Sequence, residues 1–206
     1  MITNLNLKRT AFVFIEFQNA WIGEGARLAK FLVEDRDAFY PAVGNAEKII
    51  NGARKAGCLI AHAGLDMRDD PQYLLWGRGE GKLGLAGAVP RAGTWTTEND
   101  VAFVEPFVPQ AGEFIVKGRS GASVFKNSNL DPFLRNNDVE NVVLLGFALH
   151  VCVESSLREA HDIGYNAYVA VDACGAFNLA QSEYFSKHII RHFGLNLESE
   201  ALISLF

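Results

Sequence analysis

Three side chains with complementary chemistry stand at the ends of apolar runs in this chain. Ala11-Phe-Val-Phe-Ile15 stops at Glu16, Glu113-Phe-Ile-Val116 stops at Lys117, and Val142-Val-Leu-Leu145 passes through Gly146 to Cys152. A thiol that loses its proton attacks a carbonyl carbon, a carboxylate nearby can take that proton, and an ammonium beside both favours their charged forms. Attack on an amide puts negative charge on the carbonyl oxygen, which backbone N–H groups in the turn before the cysteine could receive. Loss of one such donor costs on the order of 100–1000-fold in rate. From Cys152 to Ile163 the chain reads as a helix, and a sulfur at a helix N-terminus is expected to favour the thiolate.

The three groups meet only if the runs are strands of one parallel sheet, whose carboxyl ends share an edge where ligands bind. The pattern fits. Short runs that are apolar throughout alternate with helix-length amphipathic segments, as in a parallel sheet covered on both faces. Strands are expected at Ala11–Ile15, Cys58–Ala63, Glu113–Val116, Val142–Leu145 and Ala167–Val171, with a sixth at Ala201–Leu205. Helices are expected at Val43–Ala56, Leu130–Asn137, Cys152–Ile163 and Gln181–Phe193; Asp131-Pro132 suits the first turn of the second. The expectation is a single domain over residues 1–206. Its class is α/β, a three-layer, doubly wound α/β/α fold on a mainly parallel sheet of about six strands. Two connections break the rhythm. Ala20–Tyr40 is expected to carry a short helix. Met67–Gln110 holds Trp76, Trp95 and the glycine-rich Gly77–Gly81. Its length suits a binding loop or lid, or a surface excursion with short helices of its own.

Composition narrows the partners. The chain has 206 residues, 49% hydrophobic and 21% charged, with a formal net charge of −5. Without a Lys/Arg cluster, neither nucleic acid nor an anionic membrane is an expected partner. No apolar run approaches the roughly 20 residues of a membrane span, and Met1–Arg9 lacks a signal-peptide core. Cys58, Cys152 and Cys174 form no CxxC pair, so reduced thiols in a cytoplasmic protein fit best. Of the five histidines only His188 and His192 are spaced i, i+4, without the glutamate of a zincin motif. Packing or surface roles are expected for them, and no metal or cofactor. Neither Gly23-Glu-Gly25 nor Gly77–Gly81 completes a nucleotide-binding loop. The expected partner is a small-molecule substrate, with Phe17, Gln18, Trp76, Trp95, Arg119 and His150 as candidate pocket walls. Arg119 would offer a two-pronged grip on a carboxylate or carbonyl oxygen.

Lys117-Gly-Arg-Ser-Gly-Ala-Ser-Val-Phe125, with Asn129-Leu-Asp131 and Leu134-Arg135, resembles the lysine segment of the isochorismatase-like cysteine hydrolases. Gly146-Phe-Ala-Leu-His-Val-Cys-Val-Glu-Ser-Ser156 resembles their nucleophile segment. Ala160–Gly164 with Val171-Asp-Ala173 is similar to the segment after it, and Phe14-Ile-Glu-Phe-Gln18 to the opening strand. The likeness runs from Thr10 to about Phe177. It implies a catalytic triad of Glu16, Lys117 and Cys152, a cis peptide at Ala148–Leu149, and an oxyanion hole from the amides of Leu149 and Cys152. It implies hydrolysis of a C–N bond in a small amide or ureido-type substrate through a thioester, and assembly into a homo-oligomer. Three positions depart from the family pattern. Glu16 replaces the usual aspartate, moving the carboxylate about an ångström outward; Leu149 replaces a threonine; His150 replaces a small polar or acidic residue. The family's nicotinamidases hold a metal with an Asp-x-His pair, where this chain has Asp66-Met67-Arg68. Two other readings stay open. One is an isochorismate-type vinyl ether hydrolase with Glu16 as general acid. The other is a catalytically weak member that binds a small ligand or serves as an assembly subunit.

Overall fold

A computed structural model describes residues 5–76, 84–88 and 94–206. One sheet of six strands forms the centre, in the order β3-β2-β1-β4-β5-β6 with every pair parallel. The strands are β1 (Thr10–Ile15), β2 (Leu59–Ala63), β3 (Phe114–Ile115), β4 (Asn141–Phe147), β5 (Asn166–Gly175) and β6 (Leu195–Asn196). Every residue of β1 and β4 is buried, as expected of central strands with helices against both faces. After β1 the chain builds outward through β2 and β3, then returns to place β4 on β1's other side. The gap beyond the carboxyl ends of β1 and β4 is therefore the topological switch point, where open α/β sheets bind ligands.

The flanking helices form where their apolar stripes demand. Pro41–Lys55 opens with proline in its first turn and buries Ala42, Ala46, Ile49, Ile50 and Ala53 on one face. Ala20–Tyr40 carries three short helices rather than one, at Asn19–Ile22, Arg27–Leu32 and Arg36–Phe39. The 67–110 connection carries a 3-10 turn at Leu74–Trp76 and short helices at Gly84–Ala88 and Glu98–Val101. The Gly77–Gly81 stretch falls outside the described residues.

Three expectations are corrected. Ala201–Leu205 is not a strand: Ser199–Ile203 is helical, and β6 lies earlier, at Leu195–Asn196. Four apolar residues in a run of five cannot by pattern alone separate a short strand from a helix turn. Here Ser199 N donates to Asp172 Oδ1 at 3.0 Å, Leu202 is fully buried, and the Phe206 ring meets Phe12 at 5.4 Å. The helix expected from Cys152 begins sooner, as a π-helical turn at Leu149–Val153 continued by Glu154–Asp162. The cis peptide falls at Phe147–Ala148, one bond before the expected place.

The β1–β4 pair must approach closely for this arrangement. Gly146 has φ +125°, and a Cβ there would lie 2.1 Å from Ile15 O. Only glycine fits both the conformation and the space.

Candidate active site

Glu16 is the first residue past β1, with φ +60°. A non-glycine residue in this left-handed region costs of order 1–3 kcal/mol. Its amide is held by Ala63 O at 2.8 Å. The side chain is wholly buried. Its Oε2 accepts a hydrogen bond from Trp21 Nε1 at 2.7 Å, and its Oε1 forms an ion pair with Arg119 Nη2 at 2.8 Å. The extra methylene that distinguishes it from aspartate is thus accommodated in a sharp turn with both oxygens engaged.

Cys152 lies in the π-helical turn after β4 and is 4% exposed. Its sulfur adjoins both the Glu16 carboxylate and the Arg119 guanidinium. Burial pushes the thiol well above its ordinary pKa, the Glu16 charge pushes the same way, and Arg119 opposes them without prevailing. The resting sulfur is therefore a thiol beside a carboxylate. Desolvation thus works against the thiolate expected from the helix terminus. Leu149, fully buried, opens the same turn, and the amides of Val151 and Val153 both donate to Ala148 O, at 3.0 and 3.2 Å.

Lys117 and Arg119 have exchanged the places expected of them. The structure brings Glu16, Cys152 and Arg119 together and leaves Lys117 outside, exposed and without an ion pair among the described residues. Past β3 the extended backbone alternates, with Val116 inward at 6% exposure and Lys117 outward. Asn129 then pins the Lys117 main chain on both sides: its Oδ1 accepts from Lys117 N at 2.8 Å, and its N donates to Lys117 O at 3.1 Å. Gly118 turns the chain at φ +81°, where a Cβ would lie 3.0 Å from Asn127 O. The next side chain, Arg119, enters the interior. Its Nε donates to Gly121 O at 2.9 Å and its Nη2 to Ala122 O at 2.6 Å, so its own loop wraps the guanidinium. Its Nη1 is buried with no hydrogen-bond partner among the described residues.

Two supporting residues escaped the sequence reading. Trp21, which holds Glu16, belongs to the short helix Asn19–Ile22 and completes no motif. Ser156 Oγ donates to Cys152 O at 2.6 Å and accepts from Val124 N at 3.0 Å, tying the loop that carries Arg119 to the helix that carries Cys152. Its place four residues after Cys152 on a helix is the usual geometry for such a back-bond. That spacing was the available signal.

A cavity of about 970 Å³ opens beside β2 and β3, bounded by Gln18, Leu65, Phe103, Val116, Lys117 and Arg119 among others. Gln18 is committed elsewhere: its Nε2 donates to Leu65 O and Val101 O at 3.0 and 2.7 Å, and its Oε1 accepts from Leu65 N at 3.0 Å. Phe17 is core, stacked on Phe107 at 4.0 Å. Trp76 and Trp95 meet edge to face at 5.9 Å, and Trp76 stacks on Tyr73 at 5.6 Å; both indole N–H groups lack a partner among the described residues. His150 sits edge-on to Phe177 at 4.4 Å, and burial lowers its pKa. Asp66 is paired with Arg68 at 2.6 Å on the cavity rim. Among the described residues no three His, Cys, Asp or Glu side chains gather as metal ligands would. His188 packs on Tyr184 and His192 on Phe193.

A buried carboxylate and thiol at the switch point of a parallel α/β sheet define a hydrolase architecture. The chain belongs to the isochorismatase family: residues 10–200 match the isochorismatase domain. It is 31% identical over 183 residues to a ureidoacrylate amidohydrolase (RutB) of Agrobacterium fabrum, covering 82% of this chain and 77% of that one. It is 32% identical over 181 residues to the protein of that name from Yersinia enterocolitica, covering 80% and 74%. In fold it is similar to a cysteine hydrolase from Pseudomonas syringae, with TM-score 0.79, 21% identity and coverage of 97% and 93%. It is also similar to N-carbamoylsarcosine amidase from Thermoplasma acidophilum, with TM-score 0.67, 23% identity and coverage of 93% and 97%.

Proposed function

We propose that this protein is a cysteine hydrolase that cleaves a C–N bond of a small amide or ureido-type substrate through a thioester, with Cys152 as nucleophile and Glu16 as general base. The observation that carries this reading is the burial of the Cys152 thiol beside the Glu16 carboxylate at the switch point. The S–H proton passes to Glu16 as sulfur bonds to the carbonyl carbon. The amides of Leu149 and Cys152 receive the developing oxyanion. As the tetrahedral centre collapses, Glu16 returns the proton to the departing nitrogen, and ammonia or an amine leaves. Water then attacks the thioester, its proton going to Glu16 and on to the leaving sulfur. The two ureidoacrylate amidohydrolases described above, both more than 30% identical, are named for amide hydrolysis of a ureido compound, which supports the bond type.

Ammonia or amine release from a panel of small amides and ureido acids tests the assignment. Wild type should turn over at least one compound, and Cys152→Ala none. Equal turnover by both on every active compound removes Cys152 from the reaction. A vinyl ether cleaved by Cys152→Ala but not by Glu16→Gln would move the protein to the other chemistry of the family. We further propose that it works in the cytoplasm, which its free cysteines suit, and as a homo-oligomer. Leu74 and Leu75, 68% and 64% exposed on the cavity wall, offer an apolar contact.

A further inference from the structure

Two cations stand two positions apart after β3, and only one reaches the buried pair. We propose that Arg119 rather than Lys117 supplies the positive charge of the catalytic group, as a positioning residue that holds Glu16 against Cys152 and carries no proton. The inference rests on the reading of Cys152 as nucleophile and Glu16 as base.

The geometry leaves little choice of cation. The Arg119 side chain is 2% exposed, 2.8 Å from Glu16, and adjoins the sulfur, while Lys117 is exposed on the cavity rim and makes no ion pair with Glu16 among the described residues. Two carbonyls of its own loop, Gly121 and Ala122, fix the orientation of the guanidinium. A planar fork held on several sides has less freedom to lose than an ammonium on a four-carbon stem. Arg119 also borders the cavity.

The chemical consequence separates this site from one built on lysine. An ammonium near its pKa can give up its proton and lose the charge that holds the site together; a guanidinium does not do so at any working pH. Each proton in the cycle must then travel through Glu16, from sulfur to the leaving nitrogen in the first half and from water to sulfur in the second. Alkaline loss of activity through an amine is absent by construction.

Alkylation of Cys152 by iodoacetamide, followed from pH 6 to 10 and located by mass spectrometry, tests the proposal without needing a substrate. Wild type, Lys117→Ala, Arg119→Lys and Arg119→Gln are compared, with circular dichroism to confirm folding. Lys117→Ala should follow wild type. Arg119→Gln should slow alkylation at every pH in the range, about tenfold for each unit by which its thiol rises further. Arg119→Lys should follow wild type near neutrality and depart from it at alkaline pH as its amine deprotonates. If Arg119→Gln does not fold, Arg119→Lys still carries the comparison through that alkaline departure. The proposal is overturned if both Arg119 variants superimpose on wild type across the range, or if Lys117→Ala alone slows the reaction. Failure of the underlying reading looks different: Cys152 stays unlabelled in every variant while amide turnover persists in Cys152→Ala.

Discussion

Both oxygens of Glu16 are held before any substrate arrives, Oε2 by Trp21 and Oε1 by Arg119. As the proposed base, Glu16 therefore meets the thiol already aimed, and small displacements should be costly. Glu16→Asp withdraws the carboxylate by about an ångström from both partners. It is expected to lower kcat about 10–100-fold with little change in KM, since misplacement by an ångström costs on that order. Glu16→Gln, which cannot take the proton, should lose roughly 100–10,000-fold. Trp21→Phe keeps the ring and deletes the donor; a drop of about tenfold in kcat, read in the same steady-state assay, is expected for a lost hydrogen bond to a charged group. At this scale the sequence was half legible. Glu16 and Cys152 announced themselves by following apolar strands. Lys117 drew attention for the same reason, but Gly118 turns the backbone so that the next residue enters instead. That turn depends on Asn127 and Asn129 from further along the chain, which no local pattern displays.

Strand β4 can rest on β1 only because residue 146 has no side chain. Gly146→Ala would place a methyl 2.1 Å from Ile15 O in a left-handed conformation. A loss of more than about 3 kcal/mol is expected, or failure to fold, read by urea denaturation. A second device holds the outer strands. Glu113, beside β3, pairs with Arg54 Nε at 2.7 Å, with His62 Nε2 at 2.7 Å and with Gln110 N at 2.9 Å. Burial alone would raise the Glu113 pKa, but the hydrogen bonds from Arg54, Gln110 and His62 overcome it and bring the carboxyl to about 2. A carboxylate depressed in this way stabilises the fold fully above its unfolded value of about 4.3, and that contribution fades as pH falls towards 2. His62 is wholly enclosed, and burial lowers its pKa. The unfolded chain therefore takes up this proton first, and stability starts to fall as pH drops through about 6.5. Urea midpoints should be level from pH 8 to 7, decline through pH 6, and decline again below about 4.5. Glu113→Gln should reduce the second decline, leaving the part due to Asp66, whose carboxyl Arg68 also holds below its usual range. The same network explains why the expected strand Glu113–Val116 shrinks to two residues: the Glu113 side chain turns back under Arg54 instead of extending a ladder.

Across the whole molecule the sheet order decides where chemistry can happen. Reversal of direction between β1 and β4 opens one crevice, and the residues that follow those strands fill it. Alternation of apolar runs and amphipathic helices was enough to read this architecture. Ala11–Ile15 and Val142–Leu145 are apolar throughout because they are covered on both faces. The C-terminal segment departs from the strand expected of it because its four apolar residues serve a helical end that packs on Phe12. Sedimentation at micromolar concentration is expected to show a species larger than the 22.6 kDa chain. Substituting Leu74 and Leu75 with serine together should shift it towards the monomer. One hydroxyl has an influence beyond its size. Because Ser156 receives the Val124 amide and donates to the Cys152 carbonyl, the Arg119 loop and the Cys152 helix behave as one casting. A designer who transplants the loop from a relative to change substrate preference will drag the sulfur along with it, unless residue 156 is redesigned in the same step.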